Sequence, residues 1–192
     1  MKKYAVIVVD MLNDFVTGQI ANPRIIHIID PIRELCETAR ALDIPVIYAN
    51  DSHTPDIDRE FKVWGPHAVT GTYGAQVIEE LKPLPNDILI PKKTYSAFFN
   101  TPLELVLREF GVDTVIVTGW KADCCIRHTA AEAFFRGFYV MIPRETTDTT
   151  SEEAYQESLE FMKHYYGAKI CSVEDLFQIA SRHLDVRPAI WE

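Results

Sequence analysis

One short apolar segment decides the fold, and it reads Tyr4-Ala5-Val6-Ile7-Val8-Val9. Strands with one exposed face alternate apolar and polar residues, whereas this segment is apolar throughout and rich in β-branched residues. A run of this kind is typical of a strand that is buried on both faces of a parallel sheet. We therefore expect a parallel sheet with helices packed on both of its faces.

Similar apolar segments recur along the chain, and segments with helical spacing lie between them. The further predicted strands are residues 44–48, 88–90, 114–118, 138–142 and 169–171. Helices are predicted over residues 29–42, 101–110 and 152–166. Strands that alternate with helices predict a three-layer α/β/α fold with a doubly wound, mostly parallel sheet of about six strands. Residues 1–192 are expected to form a single domain, in which residues 178–192 extend beyond the core.

Composition limits the class of function. With 192 residues and 47% hydrophobic content, the chain can bury the core of a soluble domain. No apolar run is long enough to cross a bilayer, and Met1-Lys2-Lys3 leads directly into the first strand instead of a signal peptide. A net charge of −9 argues against nucleic acids and anionic membranes as partners. We therefore expect a cytoplasmic protein that binds neither.

A candidate nucleophile, Cys125, follows the fourth predicted strand. The chain passes through Gly119 into an alanine-rich segment, so Cys125 is expected near the start of a helix. Free N–H groups and the helix dipole favour a thiolate there, and the same N–H groups can stabilise an oxyanion. The four cysteines have neither disulfide-framework nor zinc-ribbon spacing. The alternative is that Cys124 and Cys125 are both small core residues without a chemical role, and for Cys124 we favour this interpretation.

Two charged residues follow other predicted strands. Asp10 comes directly after the first strand, and Lys92 follows the third. Ligands of open parallel sheets bind at the carboxyl ends of the strands, so both side chains are expected in one cleft with Cys125. A partly desolvated Asp10 could accept the thiol proton, while Lys92 would add a fixed positive charge. Taken alone, Asp10 is equally well explained as a helix cap and Lys92 as a surface lysine.

Three further residues have the chemistry of metal ligands. Asp51 and His53 are two positions apart, which directs both side chains to one side of an extended chain, and His67 could complete the set. One carboxylate and two imidazoles suit zinc, iron or manganese. Loop histidines with protein partners are the alternative. Helix-surface or packing roles are expected for the remaining histidines, His27, His128, His164 and His183.

Three motifs in order along the chain carry a family resemblance. They are Val9-Asp10-Met11 with Asp14-Phe15, the segment from Lys92 to Phe98, and the segment from Gly119 to Ile126 with Thr129-Ala130. In these motifs the chain resembles the isochorismatase-like cysteine hydrolases, a superfamily that includes nicotinamidases, isochorismatases and N-carbamoylsarcosine amidases. The resemblance runs from about residue 4 to residue 172.

The resemblance implies specific roles for the motif residues. It implies a catalytic triad of Asp10, Lys92 and Cys125, and a cis peptide bond between Trp120 and Lys121. It also implies an oxyanion hole formed by backbone N–H groups of Lys121, Ala122 and Cys125.

Among these relatives, the chain is most similar to the nicotinamidases. They bind a metal through an Asp-x-His pair and a later histidine, which Asp51, His53 and His67 match. The resemblance thus implies a divalent cation, zinc first, with iron or manganese as alternatives. The chain departs from the pattern at Leu12, where glutamine is common, and at Ala68, where cysteine often follows the histidine. The residues implied to hold a substrate ring are Phe15, Trp64 and Tyr95.

The reaction implied by the resemblance is hydrolysis of a small carboxamide through a thioester at Cys125. Nicotinamide, converted to nicotinate and ammonia, is the first candidate. Two alternatives stay open: the same triad could act on another small amide or a ureido compound, or the chain could be a non-catalytic thiol redox or binding module. The expected partner is thus a small-molecule amide, and the resemblance implies a homo-oligomer.

Overall fold

A computed structural model describes residues 3–18 and 20–182. Within those residues the strands are β1 (Tyr4–Val9), β2 (Val46–Asp51), β3 (Ile88–Lys92), β4 (Thr114–Trp120), β5 (Tyr139–Pro143), β6 (Thr147–Asp148) and β7 (Lys169–Cys171). The α-helices are α1 (Asn13–Val16), α2 (Ile26–Ala41), α3 (Phe61–Trp64), α4 (Leu103–Glu109), α5 (Arg127–Phe135), α6 (Glu152–Tyr166) and α7 (Val173–Arg182). Short 3-10 turns lie at Pro23–Ile25, Glu79–Leu81 and Arg144–Thr146, and a π-helical turn spans Ala122–Ile126.

The described strands form one parallel sheet with the order β3-β2-β1-β4-β5-β7, and β6 pairs with the end of β4. Helices α4, α5 and α6 pack on one face, and α2 and α7 pack on the other. The predicted three-layer, doubly wound α/β fold is therefore confirmed. The sheet has seven strands instead of about six, because β6 contains only two residues and has no apolar run that would mark it as a strand.

Strand β1 shows why its sequence is apolar throughout. Ala5, Ile7 and Val9 belong to the core cluster beneath α4, α5 and α6. Val6 and Val8, which alternate with them, belong to the cluster beneath α2. All five side chains are fully buried. Because successive side chains point to opposite faces, a strand with two covered faces has no position that solvent would make polar.

The structure extends three strands beyond their predicted ends, toward the site. Strand β2 ends at Asp51, β3 at Lys92 and β4 at Trp120. Asp51 and Lys92 are direct neighbours in the β2–β3 register. Polar residues interrupt the apolar pattern from which strands are predicted, yet their backbones continue the ladder. Asp51 and Lys92 therefore lie on the sheet itself, as the last residues of their strands.

Helix α2 begins earlier than predicted. It starts at Ile26 instead of residue 29, directly after the turn Pro23–Ile25. The side chain of Asn22 caps that turn by accepting a hydrogen bond from the backbone N–H of Arg24 at 3.0 Å. This start fixes the chain that leads into the helix, and Asn22 itself faces the cavity described below.

Two sequence-based expectations are not decided by the fold. The single-domain assignment stays a prediction. Of the extension over residues 178–192, only residues 178–182 are described, as the end of α7, and residues 183–192 lie outside the described residues. Within the described part of the chain, no helix has both the length and the apolar character needed to span a membrane.

Gly119 allows the two central strands to approach closely. It pairs with Val9 across β1 and β4 and has a backbone φ of +115°. A Cβ atom at this position would lie 2.0 Å from the carbonyl oxygen of Val9, which belongs to the backbone of the neighbouring strand. Glycine is therefore required both by conformation and by space.

We predict that Gly119→Ala destabilises the protein by more than about 3 kcal/mol, because backbone atoms of a central strand must move. Gly137→Ala is the matched control: its φ is also positive, at +79°, but no atom lies within 4 Å of the new Cβ. The control should lose only about 1–2 kcal/mol, the cost of the left-handed conformation. Urea unfolding followed by circular dichroism measures both values. Equal losses would show that the close contact with Val9 does not matter.

Candidate active site

The candidate site is a small cavity at the carboxyl ends of β1, β2, β3 and β4. Strand order reverses between β1 and β4, which is where open α/β sheets bind ligands. The cavity has a volume of about 130 Å³. Its lining residues are Asp10, Phe15, Ile20, Ala21, Asn22, Asp51, Glu60, Trp64, His67, Tyr95, Trp120, Lys121, Cys124, Cys125 and Thr150.

Lys92 lies at the centre of the polar residues. Its Nζ is 2.7 Å from Oδ2 of Asp10 and 3.9 Å from Sγ of Cys125. Donor atoms of Asp10 and Cys125 also lie within 4.8 Å of each other. The three residues of the predicted triad come from β3, the end of β1 and the turn before α5. The fold thus brings them into mutual contact, although 82 residues separate Asp10 from Lys92 and 33 separate Lys92 from Cys125.

Asp51 joins this group, which the sequence analysis did not anticipate. Its Oδ1 accepts a hydrogen bond from Nζ of Lys92 at 2.5 Å, and its backbone N–H donates to Oδ1 of Asp10 at 2.8 Å. The backbone N–H of Asp10 donates to Oδ1 of Asn50 at 3.1 Å, while Asp10 itself has a positive φ of 56°. Hydrogen bonds from the end of β2 therefore fix the Asp10 carboxylate.

Burial and charge set the protonation of the acidic groups. Burial, followed by the charge of Asp51, raises the pKa of Asp10 to about 7. Burial is the largest single effect on Asp51 and opposes its ionisation, but the charge of Lys92 and the further interactions with Lys92 and His53 together outweigh it and lower the Asp51 pKa. Burial would lower the pKa of Lys92, yet the two carboxylates raise it well above its usual value. Lys92 is thus a permanent cation, whereas Asp10 can exchange a proton near neutral pH.

Cys125 lies where the sequence predicted it, next to a helix start, but in a π-helical turn. The carbonyl oxygen of Lys121 accepts hydrogen bonds from the N–H groups of Cys124 at 3.0 Å and Ile126 at 3.2 Å. This turn leads directly into α5. The peptide bond between Trp120 and Lys121 is cis, as expected. Lys121 and Cys125 line the cavity, and Ala122 lies between them in the chain. The three backbone N–H groups that the resemblance assigns to the oxyanion hole therefore belong to a segment beside the cavity.

The protonation state of Cys125 differs from the expected one. A hydrogen bond with Cys124, followed by burial, raises the pKa of the Cys125 thiol well above its usual value, although the charge of Lys92 acts in the opposite direction. A helix N-terminus and Lys92 favour a thiolate, but the desolvation of a buried sulfur and the proximity of Asp51 oppose it, and neither can be recognised from the sequence. The thiol therefore needs a base to become a nucleophile.

The three predicted metal ligands also converge. The Nε2 atom of His53 is 3.7 Å from Oδ2 of Asp51, and the Nε2 atom of His67 is 4.0 Å from the same oxygen. In His67, Nδ1 contacts the carbonyl oxygen of Gly65 at 2.8 Å, so Nδ1 carries the proton and Nε2 is free to bind a metal. The Nε2 atom of His53 is buried and has no hydrogen-bond partner among the described residues. These donor atoms fit a divalent cation.

Glu60 is a fourth member of this cluster, and sequence reasoning missed it. Its Oε2 lies 3.8 Å from Nε2 of His53, and its Oε1 is buried and has no hydrogen-bond partner within residues 3–18 and 20–182. Donor atoms of Asp51, His53, Glu60 and His67 all lie within 4.8 Å of one another. Acidic residues are frequent in loops, so the only available signal was a carboxylate between the two histidines in the sequence.

The segment that carries His67 is held against the start of α1. A carboxylate oxygen of Asp14 accepts a hydrogen bond from the backbone N–H of Ala68 at 2.8 Å. The N–H of His53 donates to the carbonyl oxygen of Ala68 at 2.9 Å, which joins this segment to the chain after β2. Hydrogen bonds at both the N–H and the carbonyl group of Ala68 thus position the neighbouring His67 beside His53.

The three predicted aromatic residues all line the cavity. Phe15 is buried, with its ring centroid 5.8 Å from that of His67. Trp64 is 42% exposed, and its Nε1–H donates to the hydroxyl of Tyr95 at 3.2 Å. The Nζ of Lys121 lies 5.5 Å from the Trp64 ring centroid. A flat ligand could therefore contact an aromatic surface at the cavity mouth and another beside the metal cluster.

Cys124 does not lie where the sequence analysis placed it. It is partly exposed and lines the cavity, so it is not a core residue. His128, expected on the helix surface, is exposed as predicted but contacts the carbonyl oxygen of Cys124 through Nδ1 at 2.7 Å. Cys124 and Cys125 are adjacent in the turn, so their side chains point in different directions. The sequence alone does not indicate which of these directions faces the cavity.

Comparison with known proteins agrees with this geometry. The sequence profile of the isochorismatase domain matches residues 4–175. The chain belongs to the isochorismatase family. The match includes every strand of the sheet and every residue of the candidate site. With its fold, this membership identifies the chain as an isochorismatase-like hydrolase.

Three solved structures show where the chain lies among its relatives. It is 37% identical to N-carbamoylsarcosine amidase from Thermoplasma acidophilum, with a TM-score of 0.84, covering 90% of this chain and 97% of that one. It is 30% identical to a nicotinamidase/pyrazinamidase from Bacillus subtilis, with a TM-score of 0.83, covering 88% and 100%. It is 29% identical to the pyrazinamidase of Pyrococcus horikoshii in complex with zinc, with a TM-score of 0.82, covering 88% and 99%.

We predict that His67→Ala weakens zinc binding more than about 100-fold, because even outer-shell substitutions cost about 10–100-fold. Glu60→Gln, which keeps the shape but removes the charge, should weaken binding by at least about tenfold. Isothermal titration calorimetry of chelator-treated protein measures both affinities. His164→Ala, on the exposed surface of α6, is the control and should bind zinc as the parent protein does. Unchanged affinity in His67→Ala would rule out this cluster as the metal site.

Proposed function

We propose that this hydrolase is a cysteine amidohydrolase that cleaves a small carboxamide, with nicotinamide as the first candidate substrate. The observation that carries the proposal is the position of Lys92, which contacts both the Asp10 carboxylate at 2.7 Å and the Cys125 sulfur at 3.9 Å. Asp10 and Cys125 line the same cavity. A base, a cation and a nucleophile in contact are the groups that acyl transfer requires.

Asp10 begins the reaction by taking the thiol proton of Cys125. Its raised pKa of about 7 suits a group that must accept and later return a proton at neutral pH. The thiolate attacks the carboxamide carbon, and the negative charge that develops on oxygen is stabilised by the backbone N–H groups of Lys121, Ala122 and Cys125. Lys92 keeps its charge throughout, which favours both the thiolate and the oxyanion. Asp10 then gives its proton to the departing ammonia.

The second half of the reaction uses the same groups. Departure of ammonia leaves a thioester on Cys125 and an ionised Asp10. Asp10 then takes a proton from a water molecule, which attacks the thioester carbon. The carboxylic acid leaves, and the thiol of Cys125 recovers its proton from Asp10. One carboxylate thus serves as base and acid twice in each cycle.

The metal cluster borders the cavity through Asp51, Glu60 and His67. These residues and His53 would hold a divalent cation, which when bound supplies a Lewis acid that orients a substrate electron pair. Phe15 and Trp64 would hold the substrate by its faces, so that the carboxamide points to Cys125. A cavity of about 130 Å³ is small beside the roughly 300–1,000 Å³ of pockets for drug-sized ligands, which favours a substrate of one ring or less.

A ureido substrate is the second candidate. It is supported by the 37% identity to an N-carbamoylsarcosine amidase, which exceeds the 30% identity to the Bacillus subtilis nicotinamidase. The four-residue metal cluster and its aromatic neighbours support nicotinamide, since a ring nitrogen offers an electron pair to a metal. Both substrates would use the same nucleophile and release ammonia. A purely redox role for the thiols is less favoured because it assigns no task to Asp10 or Lys92.

Cellular context is also a proposal. We infer that the protein acts in the cytoplasm as a homo-oligomer, in line with the family resemblance and with four cysteines that lack disulfide-framework spacing. Zinc is the proposed resident metal because one similar structure, the Pyrococcus horikoshii pyrazinamidase, is a zinc complex.

We predict that the purified protein releases ammonia from nicotinamide, and that Cys125→Ala lowers kcat at least about 1,000-fold because the nucleophile is lost. Cys171→Ala, a buried cysteine on the opposite face of the sheet, is the control and should keep most of the activity. A coupled ammonia assay measures the rates with nicotinamide and with N-carbamoylsarcosine. Each substrate is tested with the protein before and after treatment with a chelator. Turnover of neither compound would remove both candidate substrates, and full activity of Cys125→Ala would refute the mechanism.

We also predict that Trp64→Ala raises KM about fivefold and changes kcat little, since aromatic stacking contributes about 1 kcal/mol to binding. Steady-state kinetics with the substrate found above separates the two constants. Phe99→Ala removes another exposed aromatic side chain that does not line the cavity, and it should leave KM unchanged. A fall in kcat with constant KM would place Trp64 in the chemical step instead of in substrate binding.

A further inference from the structure

The cavity contains a second thiol that the proposed mechanism does not use. Cys124 lines the cavity beside Cys125 and is partly exposed. The other three cysteines, Cys36, Cys125 and Cys171, are buried. Of the four sulfur atoms, the one in Cys124 is therefore the most accessible to a small reagent that enters from solvent.

The groups around Cys124 favour its thiolate. His128 lies one helical turn ahead, and its Nδ1 contacts the carbonyl oxygen of Cys124 at 2.7 Å. The tilted rings of Tyr95 and His128, with centroids 5.4 Å apart, limit the movement of the imidazole. A hydrogen bond from Cys125 has the largest effect on the Cys124 thiol and lowers its pKa. Burial opposes this, but the imidazole of His128 and the charge of Lys121 lower the pKa further, to about 6. The interaction with the Cys124 side chain, followed by the contact with its carbonyl oxygen against the effect of burial, raises the pKa of His128, so thiolate and imidazolium stabilise each other.

The remaining cysteines have the opposite tendency. Burial raises the pKa values of Cys36 and Cys171 to about 12. Cys125 is also held as a thiol until Asp10 accepts its proton. Reactivity toward oxidants and electrophiles follows the thiolate form and its accessibility. Both criteria select Cys124, although Cys125 is the nucleophile of the proposed reaction.

We propose that Cys124 is a site of covalent modification, which hydrogen peroxide oxidises to sulfenic acid ahead of the adjacent Cys125. The thiolate sulfur attacks one peroxide oxygen, so an S–O bond forms while the O–O bond breaks. Sulfur loses two electrons, and the peroxide is reduced. The departing hydroxide takes the proton of the His128 imidazolium and becomes water. The products are Cys124 sulfenic acid, water and neutral His128.

This modification changes the cavity without changing the triad. An oxygen atom is added to a wall residue of a cavity of only about 130 Å³, and it lies next to the sulfur that attacks the substrate. Substrate access to Cys125 is then restricted, while the contacts of Lys92 with Asp10 and Asp51 stay intact. Peroxide is thus expected to inactivate the enzyme through Cys124, and a dithiol such as dithiothreitol should restore it.

The test is peptide mapping of protein treated with a low concentration of peroxide in the presence of dimedone, which traps sulfenic acids. Trypsin releases residues 122–127 as one peptide that contains both cysteines, and fragment ions separate the two positions. In the parent protein and in Cys125→Ser, the label is expected on Cys124. In His128→Asn, labelling should slow about tenfold, because at pH 7 the thiolate fraction falls toward that of an ordinary cysteine with a pKa near 8.5.

The labelling pattern of the parent protein is sufficient to decide the proposal. The test therefore remains valid if a variant fails to fold, and it does not require the substrate to be known. A label mainly on Cys125, or on Cys36 or Cys171, would overturn it. The second readout is the rate of peroxide inactivation, expressed relative to the starting activity of each protein. Cys124→Ser should be inactivated at least about tenfold more slowly than the parent, since its hydroxyl is not oxidised. Equal rates would assign the inactivation to another residue.

Discussion

A buried ammonium group organises this molecule. Lys92 is 1% exposed and forms ion pairs with Asp10 and Asp51. Asp10 directly follows β1, and Asp51 is the last residue of the neighbouring strand β2. A charge without a partner is costly in a protein interior, so a buried cation has to be compensated by groups held in fixed positions. Parallel strands provide such positions, because their carboxyl ends meet at one edge. Close packing of β1 on β4 at Gly119 then brings the turn of Cys125 to the same cation.

The sequence predicted the fold and the proximity of Asp10, Lys92 and Cys125 because both depend on local patterns. Apolar runs marked six of the seven strands, and the positions of Asp10, Lys92 and Cys125 after those runs placed them at one edge of the sheet. The strand ends were predicted too short because Asp51 and Lys92 are polar yet continue the backbone ladder. Pattern recognition responds to side chains, whereas a strand is defined by hydrogen bonds between backbones.

Other properties of the site depend on long-range geometry that no pattern carries. Glu60 is one of many acidic residues in loops until the fold directs it at His53. Cys124 and Cys125 are adjacent in sequence, and only the π-helical turn determines which sulfur is buried and which faces the cavity. Their opposite protonation tendencies follow from that difference, since burial opposes the charged form and His128 favours it. The position of Cys125 near the start of a helix was predicted correctly, whereas the raised pKa of its thiol was not.

The candidate site has two parts. Asp10, Lys92 and Cys125, to which the proposed chemistry is assigned, lie at the carboxyl ends of strands and in the turn before α5. The segment between β2 and β3 supplies His53, Glu60, Trp64 and His67. Asp51 is the exception, since it faces the histidines with one carboxylate oxygen and Lys92 with the other. A relative that had lost its metal would still need this carboxylate to neutralise its lysine. Persistence of an aspartate at this position in an alignment is therefore no sign of metal dependence, and the markers of it are the two histidines and Glu60.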